Sequence, residues 1–509
     1  MSSPRQCRAL AFGGEVQIVD FTATVHRGAI EPSGTNEDTV RRARRHLSEE
    51  VIAMQISGFR GELIAADDAD YDTTRAVWNN AVDRRPRLIA RCSGAADAAV
   101  AVRYARDHDL EIAVRGGGHN VAGTAVCDDG IVVDLSMMRA VWVDPGNRTA
   151  RVQGGALWGD VDHEAQAHGL ATTGGIVGHT GVGGLTLGGG IGWLMRKHGL
   201  TIDNLLAAEV VTAEGDVVRA SAHEHPDLFW ALRGGGGNFG VVTSFQFALH
   251  PVGPDVIAGP VFWAAEDTAK VLRFYRDFVT DAPDELGNVV RLGTVPRLAV
   301  IPENLHWRPA IAVASCYAGA IEEGERAVEA LRRFGSPLID LVGPTPYVDH
   351  QGSLDDTLPH GWNYYWKATN LDGISDEVID VIVDHIYRAN SPRTYAVMFH
   401  MEGAVARVPN DATAYAGRDV PHNISIDAAW LPEQADEIGA AETEWARAFL
   451  GALEPHRAKS VYVNFLDADD DTSRVREAYG DEIYRRLAEV KAKYDPDNVF
   501  HHNKNILPG

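Results

Sequence analysis

The chain is 509 residues long and 45% hydrophobic, more than one ordinary core can use, since single cores stop growing near about 250–300 residues. Its 71 acidic and 47 basic residues leave a formal charge of −24, which repels phosphate backbones and anionic membrane surfaces, so nucleic acid and membrane are not expected partners. No stretch approaches the ~20 apolar residues of a membrane helix, and the apolar stretch near residues 9–12 is too short for a signal peptide. Cys7, Cys92, Cys127 and Cys316 lie far apart with no CxxC pair and no neighbouring His ligands, so a cytoplasmic protein without a disulfide framework or a metal site is expected.

Residues 1–80 hold an acidic, Ala-rich helical stretch near 37–54 and then the acidic run 67–72. After Pro86 the pattern sharpens. Residues 88–90 read as a short strand, 95–108 place apolar side chains at helical spacing, and 111–115 form a second strand that runs into Gly116, Gly117 and Gly118. This is a β-α-β unit ending in a glycine loop. Strands at 130–135 and 149–152, a helix at 158–168 and a Gly-rich segment at 174–192 follow. Residues 205–212 and 216–220 flank the hairpin signal Glu214-Gly215, 226–232 read as a helix opened by proline, and 241–249 as a strand closed by Pro251. The character then changes to longer helices between long strands: strands at 311–317, 395–401 and 424–430, helices at 323–334, 376–388 and 434–453. A second domain is therefore placed at about 256–460.

Three glycine clusters stand out: 115–120 (RGGGHN), 181–192 (GVGGLTLGGGIG) and 234–240 (GGGGNFG). Glycines let backbone approach a ligand closely and offer bare N–H groups to phosphate oxygens, so three such loops suggest an extended, phosphate-bearing cofactor. The third contains GxGxxG at Gly235, Gly237 and Gly240, but a helix precedes it and a β-branched strand follows. The dinucleotide fingerprint needs the reverse order, which argues against nicotinamide binding.

Taken together, RGGGHN, GVGG, 196–204 (RKHGLTIDN), 227–240 (DLFWALRGGGGNFG), 462–465 (YVNF) and 494–506 (YDPDNVFHHNKNI) resemble the FAD-linked oxidases of the vanillyl-alcohol-oxidase fold, in the berberine-bridge-enzyme-like branch. The match covers 85–250 and 460–509 well and the middle more loosely. The resemblance implies an α+β fold of two lobes. These are a PCMH-type FAD-binding domain at 1–255 (core about 85–250) and, at 256–460, a substrate domain of antiparallel sheet covered by helices. A C-terminal segment, 461–509, returns to the FAD domain.

In that family the histidine of RGGGHN bonds to the 8α-methyl carbon of the flavin, which implies a covalent link through His119. Many members add a second bond through a cysteine four residues before GVGG; here that place holds Val177, so a single tether is expected, as in the bacterial branch that contains hydroxynicotine oxidase and a mitomycin-resistance oxidase. The resemblance assigns cofactor contacts to Arg115, Gly116, Gly117, Gly118, His119, Asn120 and Gly123, to Thr180, Gly181, Gly183, Gly184, Gly188, Gly189 and Gly190, to Asn238, Gly240, Val241 and Val242, and to Asn503 and Asn505.

Flavin oxidation needs a base over the ring to take the O–H or N–H proton of the substrate. Tyr462 matches the family tyrosine that points at substrate, and Asn464 is expected on the same strand face by period two. The base of the plant alkaloid enzyme falls at Ser425, and a tyrosine of the alcohol-oxidising plant members falls at Ile191, so the substrate is expected to be neither of theirs. Asn423, Ser425 and Asp427 share one predicted strand face, His400 and Glu402 another, and all are candidate pocket residues. The expected partners are a small-molecule alcohol, amine or sugar as substrate and O2 as electron acceptor, with Thr180 at the position that controls oxygen access in relatives. The alternatives are a flavin-containing drug-binding protein that sequesters its ligand and a dehydrogenase that uses an acceptor other than oxygen.

Overall fold

Short apolar runs punctuated by glycine turns sort the chain into three main sheets. The computed structural model describes residues 56–470 and 472–509; the helix expected near 37–54 and Cys7 lie outside them. The first sheet runs in the order Glu62–Ala65, Leu88–Arg91, Ile131–Asp134, Ile112–Arg115, antiparallel at its first pair and parallel thereafter. Parallel neighbours need a crossover, and the helix Ala95–Asp107 supplies it. Its Ala98, Ala101, Val102 and Ala105 are buried against Leu88, Ala90, Ile131 and Val133, an alanine face that lets the helix lie close to the strands.

The second sheet is antiparallel, in the order Val141–Asp144, Thr149–Gln153, Val241–Ala248, Leu205–Val211, Val217–Ser221. The helix Pro226–Leu232, with proline in its first turn, precedes the third glycine cluster and the strand Val241–Ala248 follows it. The C-terminal helical segment Thr472–Tyr494 is two helices meeting at Gly480, whose φ of 70° no other residue type adopts cheaply. Its Leu487 and Val490 join the core beneath the second sheet, and the buried Lys491 Nζ donates to the carbonyls of Asn238 (2.8 Å) and Phe500 (3.0 Å) and to Asp495 (2.5 Å). The final segment is thereby fastened to the third glycine cluster.

The third sheet is antiparallel throughout. Its main path runs Ile339–Asp340, Asp255–Ala264, Pro309–Tyr317, Leu286–Thr294, Tyr395–His400, His422–Trp430, Asn363–Leu371. One face carries Val290, Leu292, Met398, Ile424 and Ile426, which pack with Leu272, Ile379, Ile382, Trp445 and Phe449 from the covering helices Thr268–Thr280, Asp376–Ile386 and Ala440–Leu453. Each such side chain contributes about 1.5–3 kcal/mol on burial, so the helices are held by area rather than by specific bonds. The helix Asp376–Ile386 starts where Ser375 Oγ accepts the Val378 N–H, with Asp376 and Glu377 in its first turn.

Two local expectations fail. The helix expected over 434–453 begins at Ala440, after a π-helical turn, Ala435–Gly439. Tyr462 and Asn464 do not share a strand: Tyr462 opens a tight 3-10 turn, Val463–Phe465, which brings the two side chains together instead. The three described cysteines, Cys92, Cys127 and Cys316, are free and buried, and burial pushes the thiols of Cys127 and Cys316 up to about 12.

Candidate functional site

The three glycine clusters converge on one cavity of about 430 Å³ that continues over the uncovered face of the third sheet. Its glycine end depends on backbone meeting backbone. A Cβ on Gly117 would lie 2.5 Å from Gly181 Cα, and one on Gly181 would lie 2.5 Å from Gly117 N, so RGGGHN and GVGG can touch only because both residues lack side chains. No backbone N–H from Gly116 to Asn120 finds an acceptor among the described residues, and a Cβ on Gly184 or Gly237 would enter open space. Bare N–H groups around a space that side chains would fill are what the phosphates of a dinucleotide need. The buried Oδ1 of Asn503, at the same end, also has no partner. The residues present therefore fit FAD.

Of the residues that the resemblance assigns to the cofactor, Gly116, Gly117, Gly118, His119, Asn120, Thr180, Gly181, Gly183, Gly184, Asn238, Gly240, Val242 and Asn503 line the cavity, together with Val177 and Ile191. Others do not. The strand Ile112–Arg115 turns Ile112 and Val114 to the cavity and Arg115 away, where its guanidinium donates to the carbonyls of Thr74 and Ala76. Gly123 packs on Val82, and Val241 points into the core behind the cavity. Gly188, Gly189 and Gly190 make room for Asn464, Tyr415 and Thr201 respectively. Asn505 also lies off the cavity wall, with its Oδ1 buried and unpaired.

His119 stacks on Trp78 (centroids 4.3 Å, 15°), which stacks in turn on Tyr364 (3.7 Å, 16°). Its Nε2 lies 3.1 Å from His179 Nδ1, and His360 stands edge-on at 6.4 Å. Burial, reinforced by His179 and His360, holds the imidazole well below its ordinary pKa, so the ring is neutral near pH 7. Trp78, His179 and His360 carry no motif, although His179 directly precedes Thr180 and the GVGG run.

On the sheet side, Tyr462 is buried and its hydroxyl oxygen accepts from Gly190 N–H (3.0 Å) and Asn464 Nδ2 (2.9 Å). Burial pushes the phenol up to about 12 despite those two donors. Ser425 and Asp427 face the cavity from the strand His422–Trp430, Ser425 Oγ donating to Asp427, and burial pushes the Asp427 carboxyl up to about 7. Beside them lie Trp366, Tyr395, Phe399 and Arg291, none of them anticipated. Arg291 had a signal: a single charge inside the apolar run Val289-Val290-Arg291-Leu292.

His400, Glu402 and Asn423 fall outside the pocket. Along Tyr395–His400 the side chains of Tyr395, Val397 and Phe399 face the cavity, and His400 has the opposite parity. Its Nε2 lies 2.9 Å from Arg196 Nη1 and 2.6 Å from Glu402 Oε2 on the helix side, beyond the end of the strand. Asn423 shares the face of Ser425 but sits two rungs past the cavity, donating to Asn370 Oδ1 (2.7 Å), while Asn370 Nδ2 donates to Ser460 Oγ (2.9 Å).

The family described as "FAD binding domain" matches residues 86–221, and "Berberine and berberine like" matches 461–507. (R)-6-hydroxynicotine oxidase from Paenarthrobacter nicotinovorans is 34% identical over 463 residues, 88% of this chain and 97% of its own. Glucooligosaccharide oxidase from Sarocladium strictum is 29% identical over 484 residues, covering 87% and 91%. The crystal structure of 6-hydroxy-D-nicotine oxidase from Arthrobacter nicotinovorans superposes with a TM-score of 0.80 at 32% identity, over 90% of this chain and 100% of that one. Glucooligosaccharide oxidase from Acremonium strictum, described with 6-S-cysteinyl, 8α-N1-histidyl FAD, superposes at 0.78 with 25% identity, over 88% and 97%.

Proposed function

Because the chain belongs to the berberine-bridge-like FAD-linked oxidoreductases and is an FAD-dependent enzyme, we propose that it is an oxidase that takes a hydride from a carbon of a small-molecule alcohol, amine or sugar and a proton from the O–H or N–H attached to that carbon. The observation that carries this reading is that one cavity joins a glycine cradle to Tyr462 and Asp427. When bound, FAD supplies the hydride acceptor at N5, and O2 then takes the two electrons to give H2O2. In this reading the described part of the FAD-binding domain, 56–255, with the returning segment 461–509, holds the cofactor, and 256–460 form the substrate wall.

His119 is the sole covalent tether, with Nδ1 as the bonding nitrogen, since Nε2 is engaged by His179. Val177, on the cavity wall, cannot make a second bond. Tyr462 and Asn464 position the heteroatom of the substrate: with its oxygen accepting two N–H donors, the phenol is left to donate its own proton outward. Although a tyrosine base was expected, a phenol pushed up to about 12 holds its proton at neutral pH, whereas Asp427, pushed up to about 7, is half-ionised there and suits the role of proton acceptor.

The test is anaerobic mixing of the holoprotein with alcohols, amines and sugars while flavin bleaching is followed, then admission of air with a peroxide readout. Bleaching followed by peroxide is expected. Tight binding of many such compounds with no bleaching by any of them points instead to sequestration.

A further inference from the structure

The oxidase reading leaves the substrate class open, and Arg291 narrows it. It sits in the middle of the strand Leu286–Thr294, paired across the sheet with Val397, which pairs in turn with Ser425. Val289 and Arg291 face the cavity while Val290 and Leu292 face the helices, so the guanidinium rises from the same floor as Asp427. A guanidinium is always charged and carries five N–H donors in a planar fork. Of these, Nη1 donates to the Thr294 carbonyl (2.6 Å), and the guanidinium carbon lies 4.5 Å from the Tyr395 ring centroid. Arg291 makes no ion pair among the described residues, and its Nε and Nη2, which have no acceptor there, open on the cavity.

An uncompensated cation is expensive in apolar surroundings, and these surroundings are apolar. Phe262, Ala312, Ala314, Val397 and Phe399 extend from the same floor, and the rim carries Leu298 and Val300, the latter 70% exposed. Asp427 is the nearby carboxyl, but it is bonded to Ser425, and burial pushes it up to about 7, so it is an incomplete counter-ion near neutrality. Walls of this kind leave the many hydroxyls of an oligosaccharide without partners, which costs affinity for sugars. The free Nε–Nη2 edge is the part of the fork that grips a carboxylate with two parallel hydrogen bonds.

We propose that the substrate is a flat, largely apolar molecule bearing a carboxylate, and that Arg291 holds that carboxylate; this rests on the oxidase reading above. The residue is a specificity determinant that touches substrate away from the carbon that reacts.

The experiment is calorimetric titration of the holoprotein with four probes: naphthoate, naphthylmethanol, naphthylmethylamine and the disaccharide cellobiose. Naphthoate is expected to bind at least about tenfold tighter than the other three. Arg291→Met should bring naphthoate down to the affinity of naphthylmethanol and leave the alcohol itself unchanged, while Arg291→Lys should keep part of the preference. Should Arg291→Met fail to fold, Arg291→Gln and the wild-type probe series carry the same comparison. Tighter binding of the amine or of cellobiose, or an unchanged naphthoate affinity in the folded variants, overturns the proposal. Binding is read without turnover, so a carboxylate preference with no flavin reduction by any compound would sink the oxidase reading while leaving the anion subsite standing.

Discussion

His119 Nε2 and His179 Nδ1 lie 3.1 Å apart, and this contact decides which nitrogen of His119 is free. His179 Nε2 faces the Asp355 carbonyl at 3.4 Å, and a carbonyl only accepts, so this contact puts the His179 ring proton on Nε2 and leaves Nδ1 as the acceptor. The proton between the two rings therefore belongs to His119 Nε2, and the lone pair of His119 Nδ1 remains available for bonding. Acid-precipitated protein should stay yellow and fluoresce, and His119→Ala should release the flavin on denaturation. His179→Ala should still bind FAD but release a share of it in a denaturing gel. Colourless wild-type precipitate would refute the covalent link, and full retention in His179→Ala would refute the part given to His179.

Asp427 ties activity and stability to pH in opposite directions. As proton acceptor it must be ionised, so flavin reduction should rise with pH through about 7, and Asp427→Asn should slow it by about 10²–10⁴-fold and erase that limb. The folded carboxyl keeps a proton that the unfolded chain gives up near pH 4. Stability from this group is therefore full below about pH 4, falls as pH rises, and is gone above about 7. Melting curves should show Asp427→Asn gaining on the wild type at about pH 8 relative to about pH 4. Asp162, likewise pushed up to about 7, keeps part of the slope in the variant.

Tyr462→Phe removes the acceptor of the Gly190 N–H, which costs about 1–3 kcal/mol when such a donor stays buried and unpaired. With the orienting hydroxyl gone, reduction should slow by about 10²-fold. Persistence of the pH limb near 7 in this variant assigns the base to Asp427; its disappearance would return that role to Tyr462.

Gly117→Ala and Gly184→Ala separate fold from cofactor. A Cβ at 117 meets Gly181 at 2.5 Å, so the first variant should lose about 1–3 kcal/mol as well as FAD. A Cβ at 184 meets nothing within 4 Å, so the second should melt like the wild-type apoprotein and take up FAD more weakly. Equal loss of stability in both would contradict the backbone contact.

Some of this molecule is written in local chemistry. Pro226 at the start of its helix, the Glu214-Gly215 turn and the β-α-β unit around Ala95–Asp107 depend on neighbours a few residues away, and all three lie where the sequence places them. The glycine clusters were legible as a cradle because absent side chains are visible in any sequence. What the clusters touch was not: Gly117 and Gly181 meet across 64 positions of chain, while Gly188, Gly189 and Gly190, equally conspicuous in the sequence, only make room for side chains.

The substrate side shows the limit most clearly. Tyr395–His400 and His422–Trp430 are buried on both faces, so no polar alternation marks which parity meets the cavity. His400 therefore reads like a pocket residue, and the pattern does not mark Tyr395. The sequence by itself determined the FAD-binding family and marked His119 as the residue proposed to hold the flavin, since both rest on contiguous motifs. Only the tertiary structure decided which carboxyl and which cation face the cavity, because a one-residue change of parity or a turn in place of a strand sends a side chain to the other side of the sheet.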